Sequence, residues 1–154
     1  MTADQSISSA LTGKGTFMEP LYTAVATATG RTGRTTSTDG QLDLELAYPP
    51  ALGGDGRGTN PEQLFAAGYA ACFASSLGVV GRKAKVDTRD ISVTAEVGIG
   101  KDDDGGFALS VRLRVRIPES QDNARSRELV EQAHVRCPYS KATRGNIPVD
   151  LIVE

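Results

Sequence analysis

The stretch TNPEQLFAAGYAACFASSLG, Thr59 to Gly78, limits the possible folds more than any other part of this chain. Thr59 or Asn60 can cap a helix, Pro61 suits its first position, and Glu62 puts an anion in its first turn. From Leu64 to Gly78 nine of fifteen residues are Ala, Gly or Ser, so neighbouring backbones can approach this helix closely. Phe65, Tyr69 and Phe73 recur every four residues as an aromatic ridge. Leu64, Gly68, Ala71, Cys72, Ser75 and Val79 form the adjacent stripe, so the apolar arc exceeds half the circumference. One sheet cannot cover so wide an arc. The helix must be central, its second flank covered by another helix of the same chain or, the reading preferred here, by a second copy of the chain in a homodimer.

The surrounding sequence supplies strands. LYTAVATAT (Leu21 to Thr29) reads as one, and RTTST and LDLELAY flank Asp39-Gly40, a two-residue hairpin signal. In the second of these, Leu42, Leu44 and Leu46 share a face opposite Asp43 and Glu45. A Gly- and Pro-rich loop, Pro49 to Asn60, leads into the helix. Beyond it, ISVTAEVGIG and FALSVRLRVRIP are joined by KDDDGG. Leu109, Val111, Leu113, Val115 and Ile117 line one face, and Arg112, Arg114 and Arg116 the other, which reads as a solvated outer face. A second helix is expected over Asp122 to Val135, with Ala124, Leu129, Val130 and Ala133 as its apolar stripe. A short helix begins after Cys137 at Pro138 and stops at Gly145. IPVDLIVE closes the chain as a strand. The order β-β-β-α-β-β-α-β, with hairpins rather than crossovers, predicts an α+β fold of largely antiparallel sheet packed around central helices.

At 154 residues and 39% hydrophobic, the chain suits one domain, 21–154, behind a loose tail, 1–20. A net charge of −2 gives no electrostatic reason for a nucleic-acid partner or a polybasic membrane surface. No apolar run is expected to reach the ~18 residues of a membrane span, and the first residues lack the basic start and apolar centre of a signal peptide. The expected location is the cytoplasm. Two cysteines 65 residues apart and one histidine form no metal-ligand pattern of familiar spacing.

The thiols are then the chemistry to explain. Cys72 lies about 18 Å along the axis from Asn60, beyond reach of the helix-terminal field, so its thiolate needs a side-chain cation. Cys137 sits at a helix start with Arg136, Lys141 and Arg144 nearby, and local rules alone would make it the more acidic thiol. The sequence does not rank the two. His134 is a weak candidate acid or base.

The motifs TNPEQLFAAGYAACF and CPYSKATRGNI, preceded by LYTAVATATGRTGRTTSTDGQL, closely resemble the organic hydroperoxide resistance (Ohr) branch of the OsmC/Ohr family, from about Leu21 to Glu154. The resemblance implies an intertwined homodimeric thiol peroxidase that reduces organic hydroperoxides, including those of fatty acids, to alcohols. Its thiols would be restored by dihydrolipoamide or lipoylated proteins, with no bound organic or metal cofactor. It implies Cys72 as the peroxidatic and Cys137 as the resolving cysteine, Arg31 as the catalytic arginine and Glu62 as its partner carboxylate. Family members often read TATGGRDG where this chain reads TATGRTG, one residue shorter before the arginine. Arg31 is preferred because Gly33 keeps its place two residues later, and Arg34 is the runner-up.

The implied chemistry fits these residue types. A thiolate attacking a peroxide needs a cation to hold it and to polarise the O–O bond, and an arginine oriented by a carboxylate can do both. Phe65, Tyr69 and Phe73 are candidates to line an apolar substrate channel, with core packing as their alternative. Glu62 precedes Cys72 by about 15 Å of helix, too far for one compact site. Arg31 and Glu62 are therefore expected to reach Cys72 from a partner chain or across an antiparallel helix pair. The competing readings are a peroxidase of the OsmC branch and a thiol redox sensor that does not turn over.

Overall fold

A computed structural model describes residues 18–118 and 123–154. Most of the tail expected over 1–20 lies outside the described residues.

Three short strands come first: β1 (Ala26–Ala28), β2 (Arg34–Ser37) and β3 (Asp43–Glu45), joined antiparallel in that order. β1 is much shorter than the strand expected over Leu21 to Thr29, because only three of its residues find a partner strand. Leu21, Tyr22 and Val25 stand exposed. The Asp39-Gly40 hairpin forms, but with a wider loop than two residues: Ser37 N–H donates to the Leu42 carbonyl at 2.9 Å, and the Asp39 carboxylate accepts from the Gln41 N–H and the Ser37 hydroxyl. Leu46 is buried as expected, whereas Leu42 at the hairpin mouth is exposed.

The long helix α1 (Pro61–Ala84) follows a single turn of 3₁₀ helix at Pro50–Leu52. Asn60 is its cap, accepting from the Gln63 N–H at 2.8 Å. By length and composition α1 would pass for a membrane span, with mean hydropathy 1.6, although its small residues break up any continuous run of large apolar ones. Tyr69, Phe73, Leu77 and Val80 form instead its buried ridge in the core. The stripe Gln63, Ala67, Ala71 and Ser75 is exposed, so this chain covers only one side of the helix.

That ridge packs on the second sheet, built from β4 (Ser92–Lys101), β5 (Phe107–Arg116) and β6 (Val149–Val153) in that order. The alternation in β5 resolves as expected: Val111, Leu113, Val115 and the following Ile117 point into the core, and the arginines point out. Arg112 pairs with Glu96 and Asp150, and Arg114 with Glu96 and Glu154, so the outer face is locally neutralised. β6 runs parallel to β5 rather than closing another hairpin. The reason is the pair of helices between them, α2 (Asn123–Arg136) and α3 (Pro138–Thr143), which carry the chain back across the core. On α2 the buried stripe is Ser126, Leu129, Val130 and Ala133, spaced i, i+3, i+4, i+7; Ala124, two residues before Ser126, falls on the opposite, exposed face with Glu128 and Glu131.

Candidate active site

Arg31 sits in the turn between β1 and β2. Gly33 makes this turn possible, since a Cβ there would fall 2.0 Å from Thr29 Oγ1. The end of β3 is tied to the start of α1 by Ala47 N–H to the Thr59 carbonyl and Thr59 N–H to the Glu45 carbonyl, both at 2.9 Å. Those bonds bring the arginine turn to the first turn of the helix. Arg31 Nη2 donates to Glu62 Oε1 at 2.6 Å and Nη1 to Oε2 at 3.1 Å, a two-point pair that fixes the guanidinium plane. The Tyr48 ring covers the guanidinium from another side, its centroid 5.8 Å from Cζ. Hydrogen bonding to Arg31 holds the Glu62 carboxyl below the usual carboxylate range. Arg34 takes no part: its Nε donates to Asp43 at 2.6 Å across the exposed hairpin, with Glu45 at 3.7 Å.

Cys72 lies mid-way along α1 and is half-buried, while Cys137 is fully buried. The backbone of Cys137 belongs to two helices: its N–H donates to Ala133 at the end of α2, and its carbonyl accepts from Lys141 in α3. This junction delivers its sulfur to Cys72, Sγ to Sγ 3.6 Å. Burial pushes the Cys72 thiol up, the Tyr139 N–H opposes this, and the neighbouring Cys137 adds to the rise. None of these influences is a cation. Among the described residues, no hydrogen bond or ion pair connects Arg31 or Glu62 to either sulfur. Within one chain the four residues thus form two pairs, at separate levels of α1.

Cys137 is fully buried, whatever charges flank it in the sequence. Only Cys72 is open to a reagent from outside.

A family profile described as OsmC-like protein matches residues 54–152, from the loop ahead of α1 into the last strand. The chain belongs to the OsmC-like protein family. Over 134 residues it is 52% identical to the organic hydroperoxide resistance protein of Xanthomonas axonopodis pv. citri, covering 85% of this chain and 93% of that protein. Among solved structures it is similar to an organic hydroperoxide resistance protein from Elizabethkingia anophelis, at 50% identity and TM-score 0.83, covering 89% of this chain and 99% of that one. It is also similar to OhrB of Bacillus subtilis, at 45% identity and TM-score 0.80, covering 88% and 100%. These relatives carry the name of the branch that the motifs resemble, and the α+β fold is shared with them.

The three aromatics of this OsmC-like chain separate. Tyr69 and Phe73 are fully buried in the core, and Phe65 is half-buried. With Arg31, Glu62, Phe107 and Leu109, Phe65 lines a cavity of about 310 Å³ beside the ion pair. A second cavity, about 290 Å³, joins Arg31 to Tyr48, Leu52 and Phe107. Sequence reasoning missed Tyr139, whose ring lies 6.0 Å from Phe65 and 5.7 Å from Tyr69, centroid to centroid. Gly68 makes room for it, since a Cβ there would stand 2.8 Å from the Tyr139 hydroxyl. The available signal was a second aromatic motif, CPY, beside a thiol. His134 touches neither sulfur by any hydrogen bond; its Nδ1 meets Ser140 Oγ at 2.9 Å, and burial lowers its pKa.

Proposed function

We propose that this protein is a cysteine-based thiol peroxidase that reduces organic hydroperoxides, alkyl and fatty-acid ones, to alcohols. The observation that carries this reading is the 3.6 Å approach of Cys72 Sγ to Cys137 Sγ, with the first thiol reachable and the second enclosed. The Cys72 thiolate attacks the distal peroxide oxygen; the S–O bond forms, the O–O bond breaks, and the alkoxide leaves to take up a proton. Cys137 then attacks the sulfenic sulfur. The S–S bond forms, the S–O bond breaks, and hydroxide leaves with the Cys137 proton as water. Dihydrolipoamide or a lipoylated protein reduces the disulfide by thiol exchange.

The thiolate needs a cation, because burial alone works against it. In the proposed homodimer the partner's Arg31, oriented by the partner's Glu62, fills that need. Two observations support a second copy of the chain: the exposed small-residue stripe of α1, and the exposed Leu21, Tyr22 and Val25 next to β1. Phe65 and the apolar cavity beside the ion pair would then accept the alkyl part of the peroxide. The proposed location is the cytoplasm, where lipoylated proteins and reduced thiols coexist.

Steady-state turnover with dihydrolipoamide tests the reading. Wild type is expected to prefer an alkyl hydroperoxide to hydrogen peroxide, and C72S to lose all turnover. Equal or better use of hydrogen peroxide, or turnover surviving in C72S, would count against it.

A further inference from the structure

Beside the thiols lies a buried set of hydroxyls that the peroxidase chemistry does not use. The Tyr69 hydroxyl is 2.9 Å from Ser140 Oγ and 3.1 Å from Thr143 Oγ1, and all three residues are essentially without solvent exposure. Tyr69 lies on α1, whereas Ser140 and Thr143 lie on α3. The hydroxyls therefore bridge the same two elements that the thiols must bridge. Tyr69 precedes Cys72 by three residues and Ser140 follows Cys137 by three, so each hydroxyl-bearing residue lies about one turn of chain from a cysteine. α3 has six residues; the Tyr139 ring packs it on Phe65 and Tyr69, Ser140 ties it to His134 of α2, and the Tyr69 hydroxyl is the hydrogen-bonded tie to α1.

Resting on the peroxidase reading, we propose that Tyr69 is a positioning residue for the resolving step: its hydroxyl staples α3 to α1 and keeps Cys137 within attack distance of the Cys72 sulfenic acid. From 3.6 Å the sulfurs must close to the ~2.05 Å of a disulfide, along the axis of the S–O bond that breaks. A helix free to drift would lose that line of approach. The consequence is a division of fate at Cys72. A held Cys137 takes the sulfenic acid to the disulfide; a loosened one leaves it for a second hydroperoxide molecule, which transfers another oxygen to give the sulfinic acid and a second alcohol.

Tyr69→Phe tests this cleanly. In its absence Ser140 Oγ keeps His134 Nδ1, and Thr143 Oγ1 keeps the Ser140 carbonyl at 3.2 Å, so both α3 hydroxyls retain a partner. The ring contacts with Phe65 and Tyr139 also survive. Stopped-flow loss of the Cys72 thiol with one equivalent of alkyl hydroperoxide measures the first step. Disulfide formation and the sulfinic acid fraction in excess peroxide, by mass spectrometry, measure the second. The first step is expected at the wild-type rate, the second slowed about tenfold with sulfinic acid accumulating. Ser140→Ala, a second variant, leaves the Tyr69–Thr143 contact and should change in the same direction but less, and Thr143→Ser, which keeps its hydroxyl, should behave as wild type. Unchanged partition in both Tyr69→Phe and Ser140→Ala, even with lower thermal stability, would overturn the proposal. Wild-type protein that loses its Cys72 thiol but forms no disulfide would overturn the peroxidase reading and the staple with it.

Discussion

Mixed dimers should reveal whether the arginine acts across the proposed homodimer interface. Glu62 and Cys72 are ten residues apart on one helix, about 15 Å along the axis and about 80° around it. Arg31 is held at the Glu62 end by bonds of 2.6 and 3.1 Å, and among the described residues no hydrogen bond or ion pair links it to a sulfur of its own chain. If each site takes its thiol pair from one chain and its ion pair from the other, C72S and R31A protomers complement each other. The R31A chain contributes Cys72 and Cys137, the C72S chain contributes Arg31 and Glu62, and one of the two sites is whole. Random pairing of equal amounts makes about half the dimers mixed, each with one working site, so about a quarter of wild-type turnover is expected. C72S alone should have no turnover, and R31A alone should fall on the order of 100-fold or more, the scale of losing one charge-stabilising group. The assay is hydroperoxide consumption with dihydrolipoamide after co-refolding the two variants. A mixture no more active than its parents would refute the cross-chain site.

Further outcomes follow from the same geometry. R31A should raise the Cys72 pKa, since burial is left unopposed by a cation, and thiolate absorbance against pH would read this; an unchanged titration would remove Arg31 from the site. The Arg31–Glu62 pair depresses the folded-state pKa of Glu62 below its ordinary 4.5, so its contribution is full above that pH and fades as pH falls through the lower value. Thermal stability of wild type relative to E62Q should therefore stay level down to about pH 4.5 and narrow below it; narrowing that starts near neutrality would contradict the pairing. Leu113→Ala, at a fully buried position of β5, should cost roughly 2–5 kcal/mol in urea unfolding, and a loss under about 1 kcal/mol would mean the sheet does not carry the core.

Local signals in the sequence resolved well where the physics is local. Asn60 and Pro61 fix the start of α1, the alternation of β5 sorts Val111, Leu113 and Val115 from the arginines, and Cys137-Pro138 marks the junction of α2 and α3. The contacts that matter for the site are mostly not local. The choice between Arg31 and Arg34 depends on which one meets Glu62, and Arg34 is claimed by Asp43 on the neighbouring strand. Burial of Cys137 depends on α2 crossing the core, which also explains the parallel β6 that a count of hairpins does not anticipate. Tyr139 and Ser140 had no periodicity to announce them in a helix of six residues. The strand expected from Leu21 fell short because strand-forming residues pair only where a partner edge exists.

The central claim is that Cys72 and Cys137 are one redox couple driven by organic peroxide. Its most direct measurement treats the reduced protein with one equivalent of an alkyl hydroperoxide, quenches it by alkylation, and maps both cysteines by peptide mass spectrometry alongside the alcohol formed. The account predicts one alcohol per Cys72–Cys137 disulfide, both cysteines protected within the same chain. Both thiols still alkylated, or alcohol formed with Cys137 free and no disulfide, would contradict it.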